Sequence, residues 1–308
     1  MNLLHMKYAV EVAKQGTLGK AAELLFVAQP NLSRAIKELE NELGITIFDR
    51  SPKGMTLTVE GAEFIGYAKS ILRQIHTVEQ HYKGSAAPKQ RFSISVPRAT
   101  YIADAFSRFS LEIGKGTAEI FYRETNSSRT IKNILNEGYN LGIVRYAEGY
   151  DKYFQTLFEE KNLSYSLINR FRYVLVMSRN SPLAHKEELH FEDLQPYIEI
   201  AHADPYVPNL SLAEVKKEEL PDNIDRRIFV FERASQFDLL KINWETFMWM
   251  SPLPESVLKL YGLVQRACPD NRKIYRDVLI HHQDYKLTAL DKKFIAELNR
   301  SIGTNNYK

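Results

Sequence analysis

Residues 17–61 read TLGKAAELLFVAQPNLSRAIKELENELGITIFDRSPKGMTLTVEG, and this stretch decides the fold of the first part of the chain. Thr17 is a capping residue ahead of a helical run from Leu18 to Leu25. Phe26-Val27-Ala28 follows as a short apolar turn. The next helix opens with Pro30 in its first turn, where a missing N–H costs little. Its apolar residues Leu32, Ile36, Leu39 and Leu43 step by four, three and four, and Gly44 ends it. Two β-prone runs then flank Ser51-Pro52-Lys53-Gly54, which predicts a small hairpin over 45–57. Helix, short turn, helix and hairpin together are the plan of a winged helix-turn-helix.

Working outward, Leu4, Tyr8 and Val12 recur every four residues, so an earlier helix is expected to turn that face inward before Gly16 stops it. After the hairpin a long helix is expected from Thr58 to Lys83. Phe64, Ala68, Ile71, Ile75, Val78 and Tyr82 alternate in steps of four and three along it, the seam of two helices packed lengthwise. Gly84-Ser85-Ala86-Ala87-Pro88 reads as a linker. From Arg91 strand-like and helix-like runs alternate: Phe92–Val96, Tyr101–Ile113, Ala118–Tyr122, Ser128–Glu137 and Leu141–Arg145. That alternation predicts α/β layers on a largely parallel sheet. Further strands are expected at Arg172–Met177, Tyr197–Ile200, Ile228–Phe231 and Tyr275–His281, with a terminal helix over Leu287–Ile302. The segment 241–251 is crowded with Trp244, Phe247, Met248, Trp249 and Met250, which favours core packing.

Composition narrows the class without naming a function. The 308 residues are 44% hydrophobic, enough for about two cored domains. The 26 glycines and prolines, 14 and 12, are too few for a disordered chain. One cysteine, Cys268, forms no intrachain disulfide and suits a reducing, cytoplasmic setting. No apolar run is long enough to span a bilayer, and Lys7, Glu11 and Lys14 interrupt the first apolar pattern, unlike a signal peptide. The net charge of +3, from 41 basic and 38 acidic residues, names no partner. Enzyme signatures are absent: no Walker A pattern and no Gly-x-Ser-x-Gly. His281 and His282 lie on a predicted strand, where neighbours point to opposite faces, so no metal or cofactor site is expected there.

The chemistry of the second helix of the pair lies opposite its apolar row. Gln29, Ser33 and Lys37 step by four, with Asn31 and Arg34 beside them. Arg34 has the planar fork that fits guanine edges or phosphates, and Gln29 the amide that pairs with adenine. Arg50 and Lys53 sit at the hairpin, within reach of phosphates or the minor groove. Spacing alone fits equally a small helical module with a solvated face, since Glu38, Glu40 and Glu42 dilute the charge. On that reading the N-terminal helices serve only dimerisation, in a ligand-binding or interaction protein.

The order of motifs goes further. Ala21-Ala22-Glu23-Leu24-Leu25, then Val27-Ala28-Gln29-Pro30-Asn31-Leu32-Ser33-Arg34-Ala35-Ile36, then Phe48-Asp49-Arg50 and Leu57-Thr58-Val59-Glu60-Gly61 resemble the DNA-binding domain of LysR-type transcriptional regulators. Ala28 departs from the family's usual Ser, removing a cap worth about 0.5–2 kcal/mol. Asn31 replaces a usual Ala. Ser181-Pro182-Leu183-Ala184 and Phe191-Glu192-Asp193-Leu194 resemble the family's effector-binding domain.

The resemblance implies a winged helix-turn-helix over 1–58, a dimerisation helix and hinge over 59–90, and an effector-binding domain over 91–308. That domain resembles a periplasmic-binding-protein-like α/β fold, with one subdomain at 91–168 and 265–308 and the other at 169–264. It further implies DNA contacts from Gln29, Pro30, Ser33, Arg34, Arg50 and Pro52. The seam from Phe64 to Tyr82 would pair two protomers, and a dimer of dimers is expected. Ligands of such folds sit at the carboxyl ends of strands, near helix N-termini. Arg98, Thr100, Asn126, Ser127, Ser128, Arg145 and His202 are therefore the expected effector-binding residues. Thr100 and Ser127 stand where the family places hydroxyls, although helix capping explains them as well. The arginines favour a small anionic effector. Expected partners are promoter DNA, the effector, further copies of the chain and RNA polymerase, with no membrane and no cofactor.

Overall fold

The computed structural model describes residues 1–51, 54–83, 89–208, 210–211, 214 and 224–303. The chain divides into two compact units, Met1–Pro88 and Lys89–Lys308. Pro52, Lys53, the side chain of Tyr82 and the linker 84–88 lie outside the described atoms.

The first unit holds α1 (Leu3–Gln15), α2 (Leu18–Leu24), α3 (Gln29–Leu43), β1 (Phe48–Ser51), β2 (Gly54–Leu57) and α4 (Val59–Lys83). Local signals set its boundaries. Thr17 caps α2 by accepting from the Lys20 N–H, while Gly16 and Gly44 end α1 and α3 in the left-handed region at φ 70°. Ala28, preceding α3, supplies no side-chain cap, as the departure from Ser predicts. β1 and β2 pair antiparallel, Phe48 opposite Leu57 and Ser51 opposite Gly54.

Two expectations shift here. The buried face of α1 is Met6, Ala9 and Val12, with Leu4 half exposed, because α1 lays small Ala9 against its neighbours. On α4, Phe64 and Ala68 belong to the unit's own core, packed with Ile65 beside α1 residues. They are therefore not free for a partner. Ile71 leans on that core, Ile75 is half-buried and Val78 is exposed. The start of α4 lies tight on the residue that precedes β1: a Cβ at Gly61 would meet the Ile47 carbonyl oxygen at 2.0 Å. Thr58 caps it, its Oγ1 accepting from Gly61 N–H at 2.8 Å.

The second unit carries two five-stranded sheets. The first runs β4-β3-β5-β12-β6, from β3 (Gln90–Val96), β4 (Ala118–Glu124), β5 (Leu141–Ala147), β6 (Leu163–Arg172) and β12 (Ile274–His282). Around it lie α5 (Thr100–Ser110), α6 (Ser127–Asn136), α7 (Asp151–Glu160) and α10 (Ala289–Gly303). The second sheet runs β11-β7-β10-β8-β9, from β7 (Val174–Ser178), β8 (Ile198–His202), β9 (Arg227–Val230), β10 (Thr246–Met250) and β11 (Leu263–Arg266). It carries α8 (Ala234–Ile242) and α9 (Glu255–Tyr261).

Both sheets are mixed rather than largely parallel. β3 pairs parallel with β4 and β5, but β12 pairs antiparallel with β5 and β6. In the second sheet β8 pairs parallel with β9 and β10, whereas β7 is antiparallel to β10 and β11. The antiparallel strands are those that carry the chain between the lobes. β6 still belongs to the first sheet, so the outward crossing falls at Tyr173 rather than near Asn169. The return runs over 267–273, after β11. The segment 241–251 forms the end of α8 and the central strand β10, with Phe247, Met248 and Met250 buried. No helix among the described residues is long and apolar enough to cross a membrane.

Candidate functional site

On α3 the apolar row Leu32, Ala35, Ile36 and Leu39 faces the core, which turns Gln29, Pro30, Asn31, Arg34 and Lys37 outward. Ser33 is half-buried, and its Oγ accepts from Arg50 Nη1 of the hairpin at 3.5 Å, joining helix and wing in one surface. The hairpin is held in place by Met55 N–H donating to the Gly16 carbonyl at 2.7 Å. Gly54 is required there, at φ 127° with room for no Cβ against the same oxygen. The acidic residues of α3 are drawn elsewhere. Glu40 accepts from Ile47 and Phe48 N–H at 2.8 and 3.1 Å, Glu42 pairs with the N-terminal ammonium, and Glu38 stands 3.9 Å from His5. Arg34 and Lys37 carry no ion pair among the described residues.

In the second unit the strand ends of the two lobes face each other, and ion pairs cross between them. Arg98, after β3, donates from Nη1 to Asp204 Oδ1 at 2.7 Å and from Nη2 to Oδ2 at 3.4 Å. Glu124, ending β4, meets Arg233 at the start of α8 at 3.2 Å. Burial of Glu124 pushes its carboxyl above the usual range, against the pull of Arg233. Asn126 caps α6, accepting from Arg129 N–H at 2.9 Å, and its Nδ2 donates to the Asp204 carbonyl at 3.2 Å. Arg98, Asn126 and Asp204 border a cavity of about 150 Å³ whose walls include Tyr146, Tyr150, Tyr206 and Tyr275.

Of the seven expected effector residues, Arg98, Asn126, Ser127, Arg145 and His202 line this cavity, whereas Thr100 and Ser128 do not. Thr100 Oγ1 is buried with no hydrogen-bond partner among the described residues. Ser127 donates to the Arg145 carbonyl at 2.6 Å and accepts from the Arg145 N–H at 3.1 Å, so its hydroxyl fastens α6 to β5. Arg145 is not a free cation. Its Nε and Nη2 donate to the fully buried Asp277 at 2.7 and 2.6 Å, and its guanidinium lies 4.7 Å from the Phe171 ring centre. Tyr101 completes this network, donating to Asp277 from inside the core; burial first, then Asp277, raises its phenol well above the usual range. His202, ending β8, is kept neutral: burial first, then Arg98, pulls its imidazole down to about 4. Its Nδ1 has no hydrogen-bond partner among the described residues.

Sequence reading missed Asp204, Glu124, Arg233 and Asp277. Glu124 and Arg233 could have been found by the strand-end rule that picked Arg98. Asp277 lies inside a strand, and nothing local marks it. Cys268 is buried, which raises its thiol above the ordinary range.

A winged helix-turn-helix joined to two α/β lobes around a cleft defines a two-part protein with a periplasmic-binding-protein-like second domain. Residues 3–62 match the model of the bacterial regulatory helix-turn-helix proteins of the lysR family. The first unit therefore carries a helix-turn-helix of the lysR family. It is 41% identical over 101 residues to the HTH-type transcriptional regulator YcgK of Bacillus subtilis, a match covering 32% of the chain and 31% of that protein. To the regulator AlsR of Bacillus subtilis it is 25% identical over 271 residues, covering 85% of the chain and 83% of AlsR. The full-length LysG of Corynebacterium glutamicum, solved with bound effector Arg, has the same fold: TM-score 0.62 at 12% identity, covering 98% of this chain and 99% of that one.

Proposed function

We propose that the chain is a transcriptional regulator that binds promoter DNA through α3 and the wing and responds to a small molecule bound between its lobes. The observation that carries the reading is the α3 surface: Gln29, Asn31, Arg34 and Lys37 are exposed, Arg50 is fastened beside them through Ser33, and the helix's carboxylates are engaged elsewhere. Arg34 reads a guanine edge or a phosphate, Gln29 an adenine, and Lys37 and Arg50 the backbone. Pro52 and Lys53 are included in the same proposed set of DNA contacts.

Residues 1–90 hold eleven Lys or Arg against nine Asp or Glu, so one copy brings little net charge. A homodimer joined through the second half of α4, from Ile71 through Ile75 and Val78 to Tyr82, doubles the contacts on a pseudo-palindromic site. Two dimers then make a homotetramer. The cytoplasm, where the DNA and RNA polymerase are, is its place of work.

In the cleft, an effector acid must take Arg98 from Asp204, because Arg145 is held by Asp277. Binding that exchanges the Arg98–Asp204 pair for an Arg98–effector pair changes how the lobes are held, and so favours one arrangement over another. Fluorescence anisotropy with DNA upstream of the chain's own coding sequence tests the reading. Specific, salt-sensitive binding is expected, and Arg34→Ala should weaken it by about ten- to a hundredfold. Equal affinity for unrelated DNA, or an Arg34→Ala protein that binds like the parent, would refute it.

A further inference from the structure

A larger cavity, about 370 Å³, lies in the second lobe beside the returning hinge segment 267–273. It adjoins the cleft, sharing Tyr173, His202, Pro205 and Tyr275 with it, yet most of its wall is separate. Trp249 of β10 and Phe191, edge-on to it at 6.1 Å, give it an apolar wall, while the neighbouring Ile200 and Met248 turn their side chains into the core on the other face of the sheet.

The acids at its border are already engaged. Glu199 accepts from Arg227 Nε at 2.8 Å. Asp270 accepts from Phe191 N–H at 2.9 Å and contacts His190 at 3.2 Å, and these partners hold its carboxyl below the usual range. Arg272 is exposed at the rim, where its charge also helps lower Asp270, but it makes no hydrogen bond or close ion pair among the described residues. His202 Nδ1, buried without a partner, stands on the wall shared with the cleft.

We propose that this chamber is a second small-molecule site, taking a carboxylic acid with a flat aromatic or branched hydrocarbon body. The body lies against Trp249 and Phe191, and the carboxylate is held at the solvent rim by the Arg272 fork. That orientation buries apolar surface while leaving the charge near water, so no ion is stranded in the interior. A second polar atom on the body would find His202 Nδ1. An occupant touches Asn271, Tyr173 and Tyr275, which lie where the chain passes between lobes; Asn271 Nδ2 donates to the Tyr173 carbonyl at 3.2 Å, and the two tyrosine rings sit 4.2 Å apart. The site therefore bears on the same hinge as the cleft.

The chain has two tryptophans, Trp244 and Trp249, so Trp244→Phe in the full chain leaves Trp249 as the sole reporter. Phenylacetate, 3-phenylpropionate and 4-methyl-2-oxopentanoate are titrated against its emission, with phenylacetamide as the uncharged comparison. At least one acid should give a saturable change below about 10 mM, with the amide, the Arg272→Ala protein and the Arg272→Lys protein each weaker, the first two by about tenfold or more. Arg98→Ala should leave that titration unchanged.

The proposal is overturned if no acid saturates or if amide and acid bind alike. It is also overturned if Arg272→Ala binds like the parent, or if affinity follows Arg98 instead, which would place the acid in the cleft. Arg272 is exposed, so its variants are expected to fold, and unchanged circular dichroism verifies it. No DNA enters the titration, so its failure and a failure of promoter binding are separate results.

Discussion

Replacing Asp277 with Ala should cost the second unit more than any surface change. Asp277 is fully buried, and the Arg145 side chain it holds is only 9% exposed. Removing the carboxylate strands a buried guanidinium, which costs about 3–5 kcal/mol. The Tyr101 hydroxyl loses its acceptor as well, a further ~1–3 kcal/mol. The Phe171 face at 4.7 Å returns a part of this, about 0.5–2 kcal/mol. The expected net loss is about 4–5 kcal/mol, or a fall in Tm of roughly 10–20 °C for a unit of this size.

The assay is guanidinium unfolding of the full chain followed by near-ultraviolet circular dichroism, with the transition of the second unit fitted separately because two units need not unfold together. Arg145→Met with Asp277→Leu and Tyr101→Phe removes every member of the network at once. That triple variant should lie much nearer the parent than Asp277→Ala does, because no unpaired charge is left behind. An Asp277→Ala protein within about 1 kcal/mol of the parent would refute the reasoning, since a loss that small fits an ordinary surface substitution.

Three further outcomes are expected. Phe26 has φ 54° and is 94% exposed, so Phe26→Gly should relieve backbone strain without losing burial, stabilising the first unit by ~1 kcal/mol in thermal unfolding; a loss would contradict this. His202 is held neutral, with a folded value of about 4 against an ordinary 6.5. The unfolded chain therefore binds the extra proton first, and this share of stability is complete above pH 6.5 and falls as pH drops toward 4. A His202→Gln protein should lose less stability across that window, and identical pH profiles would exclude the effect. For the lobes, a double-mutant cycle of Arg98→Ala and Asp204→Ala should give a coupling of about 1–2 kcal/mol, above an ordinary surface pair because Arg98 is only 13% exposed, though reduced by the exposure of Asp204. A coupling near zero would show that the pair does not hold the cleft.

The first unit was legible because its signals are local. Thr17, Gly16, Pro30 and Gly44 mark ends by backbone chemistry that needs no distant partner. Where tertiary packing decides, the pattern misled. A four-residue step names a helix but not which side of it wins, so Leu4 stands half exposed while Met6 and Ala9 are inside. The seam on α4 has the same weakness. Phe64 and Ala68 keep heptad spacing while packing within their own unit, whereas Val78 of the same seam is exposed. In the second unit β6 escaped notice because it lies at a sheet edge, with Tyr165 and Leu167 half exposed among polar neighbours. β10 escaped for the opposite reason. Buried on both faces in the middle of its sheet, it reads as a continuous apolar run that periodicity does not assign.

The cleft shows where a single sequence stops. Arg98, Asn126, Ser127, Arg145 and His202, which the strand-end rule singles out, line one cavity, but the rule does not say that both arginines are already ion-paired. Arg98 finds Asp204 at a sequence separation of 106 residues, and Arg145 finds Asp277 at 132. Nothing near either arginine announces its partner. The two pairs then differ in kind. Asp277 is sealed in the core and holds Arg145 under aromatic rings, so that guanidinium cannot exchange partners without exposing a buried charge. Asp204 is a third exposed and lies in the opposite lobe, so its carboxylate can leave Arg98 for water at modest cost. A ligand that competes for a cation in this cleft therefore competes with Asp204 alone, and its success is coupled to how the two lobes are held together.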